Sequence, residues 1–100
     1  MAEPTTEFQV FAPPEQEAGT YANFLAVWHS PFEFTLDFCA TLRPTQDDDQ
    51  SPVVVPCRVV SRLKIPVTVI FAMLQEMNGI MTRYEEQFGP ITRIGEDRTT

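Results

Sequence analysis

The 100-residue sequence is poor in several residue types, and each shortage excludes a class of protein. Two cysteines and one histidine are too few for a disulfide framework or a structural zinc site. No apolar run approaches the roughly 20 residues that a helix needs to span a bilayer. No charged and then apolar leader precedes a small-residue cleavage site. These shortages predict a cytoplasmic protein with no membrane insertion, no metal and no cofactor.

Basic residues are also scarce, at 7 against 14 acidic residues, and the net charge is −7. Four of the acids lie in the first twenty residues, where the sequence has no Lys or Arg. This acidity opposes non-specific binding to nucleic acid or to an anionic membrane. We predict an acidic, proline-rich mobile arm at 1–19, a single α+β domain at 20–94 and a frayed tail at 95–100.

The longest polarity pattern lies in residues 32–43, where apolar and polar residues alternate. A period of two is typical of a half-buried antiparallel strand. One face is apolar and carries Phe32, Phe34, Leu36, Phe38, Ala40 and Leu42. The other face is polar and carries Glu33, Thr35, Asp37, Cys39, Thr41 and Arg43. We therefore predict that the phenylalanine-bearing face is the buried side.

Residues 20–29 form a preceding strand with apolar residues on both faces. The two strands meet at His29, Ser30 and Pro31, since proline fixes φ and lacks the N–H that a strand centre needs. We assign these three residues structural roles in the turn. A strand that is apolar on both faces has no side suited to solvent, which predicts that another molecule covers part of it.

Residues 53–65 form a third predicted strand, and Pro56 near its start indicates an edge position or a bulge. The basic residues of one face are Arg58, Arg62 and Lys64. If this strand pairs with residues 32–43, that face lies beside Glu33 and Asp37, and opposite charges on neighbouring strands attract. Pairing within the sheet is therefore the simplest explanation of the basic face.

Residues 66–88 predict one long helix, because apolar residues recur at spacings of three and four. This stripe consists of Ile70, Met73, Leu74, Met77, Met81, Tyr84 and Phe88. Pro66 suits the first turn of the helix, and Gly89 followed by Pro90 is typical of its end. The β-branched residues in 67–70 leave open whether this segment begins the helix or extends the third strand.

Together these elements predict an α+β fold in which an antiparallel sheet of three to four strands packs on one long helix. The fourth strand would be residues 7–11, which alternate apolar and polar, or residues 91–94. Residues 7–11 could add to the sheet of this chain or of a neighbouring molecule. One helix covers one face of a small sheet, so apolar surface remains for an interface.

Several short motifs are shared with a known family. They are Tyr21-Ala22-Asn23, His29-Ser30-Pro31, Glu33-Phe34, Leu36-Asp37-Phe38, Ser61-Arg62, Tyr84-Glu85 and Phe88-Gly89. On these motifs, residues 20–91 resemble domain of unknown function 3467, a family of small bacterial and archaeal proteins. The resemblance implies no activity. Residues 65–71 are far more apolar than the usual start of the family's helix, which implies a more specialised partner.

We predict a non-enzymatic protein-binding or assembly module that acts as a homodimer and engages another protein through its surplus apolar surface. Large apolar side chains often carry the binding energy of such interfaces. The predicted interface residues are Phe24, Trp28, Val67, Phe71 and Met73. Gly89 is assigned a structural role at the end of the helix.

Three other functions can be compared with this prediction. The order of strands and helix resembles the architecture of SecB-type export chaperones, which suggests binding of extended polypeptide, although no motif carries that likeness. A nucleic-acid-binding regulator would use a basic patch made of Arg43, Arg58, Arg62 and Lys64. An enzyme would need His29, Ser30 and a carboxylate in one pocket, but neighbouring residues of a strand point apart. We therefore predict no catalytic residues.

The loop at 44–52 raises the further possibility of a metal site, because it contains three consecutive aspartates. A calcium loop also needs a glycine at its sharp turn and a distal glutamate, and this loop has neither. We predict a solvated loop without a metal.

Overall fold

A computed structural model of the chain describes residues 3–93. The described elements are β1 (Phe24–His29), β2 (Glu33–Thr41), β3 (Cys57–Pro66) and α1 (Ile70–Phe88), with 3₁₀ turns at Pro14–Gln16 and Val67–Val69. The strands form one antiparallel sheet in the order β1-β2-β3, so β2 is central and the other two are edges. The predicted α+β class, with a three-stranded antiparallel sheet and one long helix, is confirmed.

The hairpin of β1 and β2 is held at both ends by side chains as well as backbone. At its corner, the Ser30 amide donates to the Glu33 carbonyl at 2.9 Å, and Ser30 Oγ accepts from the amides of Phe32 and Glu33 at 3.2 and 3.3 Å. At its open end, Asn23 Oδ1 accepts from the Thr41 amide at 2.9 Å, and Asn23 Nδ2 donates to Thr41 Oγ1 at 3.0 Å. These bonds fix the register of the hairpin.

β3 begins later than predicted and lies at an edge of the sheet. Pro56 immediately precedes it, and its carbonyl accepts from the Leu42 amide at 2.8 Å. Before Pro56, only a single bridge joins Thr45 and Val54. Proline cannot donate to a ladder, which explains why regular pairing starts at Cys57.

The buried face of β2 differs from the prediction. Thr35, Asp37 and Cys39, on the face expected to be polar and solvated, are buried, whereas Phe32 is exposed. Leu36 is buried on the phenylalanine-bearing face, and Phe34 and Phe38 are half-buried. Short side chains on a central strand are covered by long side chains of its neighbours. A strictly alternating pattern cannot reveal this covering.

The structure decides two alternatives that the sequence leaves open, namely the place of a fourth strand and the start of the helix. Residues 7–11 are exposed and form no strand, and residues 91–93 are also irregular. Position 94 and the predicted tail at 95–100 lie outside the described residues. Pro66 is the last residue of β3, and not part of the first helical turn as predicted. Val67–Val69 form a 3₁₀ turn, and α1 starts at Ile70.

The end of α1 is capped by Gly89, whose φ of 95° favours a residue without a Cβ atom. Its amide donates to the Glu85 carbonyl at 2.9 Å, and the Ile91 amide donates to Glu85 Oε2 at 3.0 Å. The backbone carbonyl and the side chain of Glu85 therefore each accept from one backbone amide beyond the helix. No helix among residues 3–93 has the length and apolar composition required to cross a membrane.

Contacts between residues divide the chain into two compact units. Among the described residues, the first unit comprises 3–27 and 36–63, and contains most of the three strands. The second comprises 28–35 and 64–93, and contains the hairpin corner and α1.

Candidate interaction surface

The apolar stripe of α1 is exposed. No residue of the helix is buried. Within the predicted stripe, only Ile70 and Met73 are half-buried. The exposed members are Leu74, Met77, Met81, Tyr84 and Phe88. Phe71, beside the stripe, exposes 75% of its surface. The sequence predicts that this stripe is covered, whereas most of it is exposed in the structure of residues 3–93.

The local interactions of α1 are weak for a helix of this length. Val69 at its N-terminus makes no side-chain capping bond, the first turn contains no acidic residue and the last turn contains no basic residue. Gly79 interrupts its centre, and glycine is a poor helix former. Most helical stability in proteins comes from packing of an apolar face. The uncovered stripe is therefore where α1 would gain stability from another chain.

β1 presents a second exposed apolar region. Phe24, Leu25, Val27 and Trp28 are all exposed, and Trp28 exposes 62% of its surface. β1 contains no Lys, Arg, Asp or Glu. Long, uncharged edge strands are templates for pairing with another chain. β1 thus has both exposed side chains and an unprotected edge.

The five predicted interface residues fall into two groups. Phe24 and Trp28 lie on β1, and Val67, Phe71 and Met73 lie in the 3₁₀ turn and the first turns of α1. Four of the five are exposed, and Met73 is half-buried. Sequence reasoning missed Leu25 and Val27. The sequence signal for these two is the lack of Lys, Arg, Asp and Glu in β1, whereas its edge position comes from the structure.

The sheet carries a polar cluster on the buried side of β2. Arg62 donates from Nε to Asp37 Oδ1 at 2.6 Å and from Nη2 to Asp37 Oδ2 at 2.9 Å. This two-bond geometry is the strong form of a carboxylate–guanidinium pair. The same hydrogen bond raises the pKa of the Arg62 guanidinium. The Asp37 side chain is 4% exposed, and a buried charge is costly unless it is paired.

In the second unit, Lys64 makes polar contacts of its own. Its Nζ donates to Thr35 Oγ1 at 2.9 Å and lies 3.5 Å from Glu33 Oε1. The predicted pairing of the basic face of β3 with Glu33 and Asp37 is confirmed for Arg62 and Lys64. Two of the four residues of the predicted basic patch, Arg62 and Lys64, therefore contact β2 within the sheet.

The hairpin corner uses its polar side chains to hold the turn. Ser30 Oγ accepts two backbone amides, and the His29 ring lies 6.2 Å from the Phe34 ring, measured between centroids. Serine in such a turn replaces a backbone acceptor. Ser30 Oγ thus serves as an acceptor that holds the hairpin corner.

Two further titratable groups have shifted pKa values. Burial raises the pKa of the Cys39 thiol, and the neighbouring Cys57 and Asp37 raise it further. Hydrogen bonds from the Ser51 hydroxyl and from the amides of Gln50 and Ser51 lower the pKa of Asp48. Both cysteines are free thiols. Asp48 thus acts as an acceptor that shapes the acidic loop.

Metal ligands are not grouped in the part of the chain that the structure describes. Within residues 3–93, no three His, Cys, Asp or Glu side chains are close enough to hold an ion together. The contacts of Asp48, to Gln50 and Ser51, lie within the loop itself.

Comparison with known proteins identifies the family of this chain. A model of a protein family described as a protein of unknown function (DUF3467) matches residues 1–93. No curated protein and no solved structure is significantly similar to the chain. Because the match covers the described elements from β1 to the end of α1, the chain belongs to the DUF3467 family.

Proposed function

We propose that the chain is a non-enzymatic protein-binding module that acts as a homodimer and engages another protein. The observation that carries this proposal is α1, a helix of 19 residues with an apolar stripe and no buried residue. An amphipathic helix gains most of its stability when its apolar face is packed. A helix with this face exposed is suited to bind in or beside an apolar surface of another protein.

The small core gives independent support. Leu36 and Cys39 are the only buried hydrophobic residues among those described. Burying a large apolar side chain contributes about 1.5–3 kcal/mol, so the exposed side chains of α1 and β1 represent a large unused stabilisation. Contiguous exposed apolar surface in a soluble chain marks an interaction site. Association with other chains is the physical means of using it.

The partner of α1 can be captured by a photoreactive residue. Benzoylphenylalanine replaces either Met77, on the stripe, or Glu86, nine positions later and half a turn away on the polar face. Irradiation in cells of the source organism should join position 77 to one discrete protein other than this chain. Position 86 is the matched control, because it is exposed and lies on the same helix.

Two outcomes would contradict the proposal. Crosslinking that is equal at positions 77 and 86 would show that the stripe does not direct binding. Absence of any crosslink at position 77 would show that no protein covers it. A broad set of unrelated unfolded chains at position 77 would instead support a chaperone that binds extended polypeptide.

A further inference from the structure

We propose that the exposed edge of β1 pairs, antiparallel, with β1 of a second copy of this chain. The inference rests on the homodimer of the proposed function and specifies its interface. β1 has β2 on one side, and no strand among residues 3–93 lies on its other side. Its outer edge therefore offers backbone donors and acceptors that another strand can use.

The two edges of the sheet differ in a way that selects β1. β3 carries Arg58, Arg62 and Lys64, follows Pro56 and ends at Pro66. Charged side chains and prolines are the devices that keep edge strands from pairing. β1 has none of these devices along its six residues, Phe24–His29. Pairing is thus opposed at one edge of the sheet and unopposed at the other.

A second copy fits the edge of β1 better than residues 7–11 of the chain do. Residues 7–11 alternate apolar and polar, and would set Glu7 and Gln9 beside one apolar face of β1. A second β1 is apolar on both faces, and so matches on both. Cross-strand pairs of apolar side chains stabilise a sheet, whereas polar residues gain nothing beside them. The occupant that matches the edge is therefore another β1.

Pairing of this kind closes after two copies. The sheet of the dimer would run β3-β2-β1-β1-β2-β3, with a two-fold axis perpendicular to it at the centre. Both outer edges would then be β3, the protected strand. The same feature that selects β1 for pairing thus prevents growth into a fibre.

The test uses the same substitution, valine to lysine, at three exposed positions of the full-length chain. Val27 lies on β1, Val59 on β3 and Val10 in the segment 7–11, and they expose 53%, 43% and 97% of their surfaces. Sedimentation velocity across a concentration series measures the dimer dissociation constant of each variant. Val27→Lys should raise this constant about tenfold or more, because a charge is placed at the paired edge in both copies. Val59→Lys and Val10→Lys should leave it unchanged.

A charge-reversal mixture separates loss of pairing from loss of folding. The perpendicular two-fold axis keeps both copies of residue 27 on one face of the dimer sheet, near each other. Val27→Glu alone should weaken the dimer as Val27→Lys does. Mixing equal amounts of the two variants should restore a dimer with one copy of each, because the opposite charges attract.

The inference is overturned if Val27→Lys dimerises like the wild-type chain. It is also overturned if Val10→Lys dissociates as Val27→Lys does, which would assign the edge to residues 7–11, or if the mixture stays monomeric. Each of these results leaves the crosslinking test of α1 unaffected. A failure of this inference is therefore distinguishable from a failure of the proposed function.

Discussion

At the scale of single residues, Asp37 shows what sequence can and cannot predict. Its pairing with a basic residue of β3 followed from the alternation of the two strands, and Arg62 provides that pair. Its burial did not follow, because Asp37 occupies a position that alternation assigns to solvent. Burial of a charged residue depends on which neighbouring side chains cover it, and this is a tertiary property.

The pair yields a prediction about stability. Arg62→Ala should lower the free energy of unfolding more than Arg58→Ala, an equivalent substitution on the same strand, because it leaves the buried Asp37 carboxylate without its guanidinium. In an Asp37→Ala background, Arg62→Ala should have a much smaller effect, since the buried carboxylate that Arg62 bonds is already absent. Urea denaturation measures the free energy of unfolding of the wild-type chain, the two single variants, the double variant and the Arg58→Ala control.

Equal losses from Arg62→Ala in both backgrounds would contradict this account of the pair. That result would mean that Arg62 acts through packing of its aliphatic stem and not through Asp37.

At the scale of elements, the sequence predicts most of the fold. The alternation of residues 32–43 indicates β2, and the spacing of the stripe together with Gly89 indicates α1 and its end. The sequence does not specify where α1 starts, because Val67 and Val69 have branched side chains that fit either a strand or a helix start. The structure assigns them to a 3₁₀ turn, which neither pattern specifies.

Two glycines of this region should respond in opposite ways to the same substitution. Gly79 lies inside α1, and a Cβ atom added there meets nothing within 4 Å. Gly79→Ala should therefore stabilise the fold by about 1 kcal/mol, the difference between alanine and glycine in a helix. Gly89→Ala should destabilise it, because the φ of 95° at the cap disfavours a side chain.

Thermal unfolding followed by circular dichroism compares the two glycine variants with the wild-type chain. A loss of stability with Gly79→Ala would contradict the open space around Gly79 in α1. It would indicate that another chain approaches the backbone closely at that position, on the face opposite the stripe.

At the scale of the whole molecule, the sequence predicts an excess of apolar surface but not that β1 is an edge of the sheet. Trp28 and Phe71 are both exposed, as a surface for partners requires. The edge at Leu25 and Val27 was missed, because side-chain pattern alone does not say which strand lies at an edge. Strand order is decided by pairing between distant segments, and only the structure gives it.

The central claim is that this chain covers its apolar surface by associating with other chains, beginning with itself. Light scattering coupled to gel filtration measures the mass in solution directly, over a range of micromolar concentrations. The account predicts a mass of twice the chain's 11.4 kDa. A mass of 11.4 kDa at every concentration would contradict it.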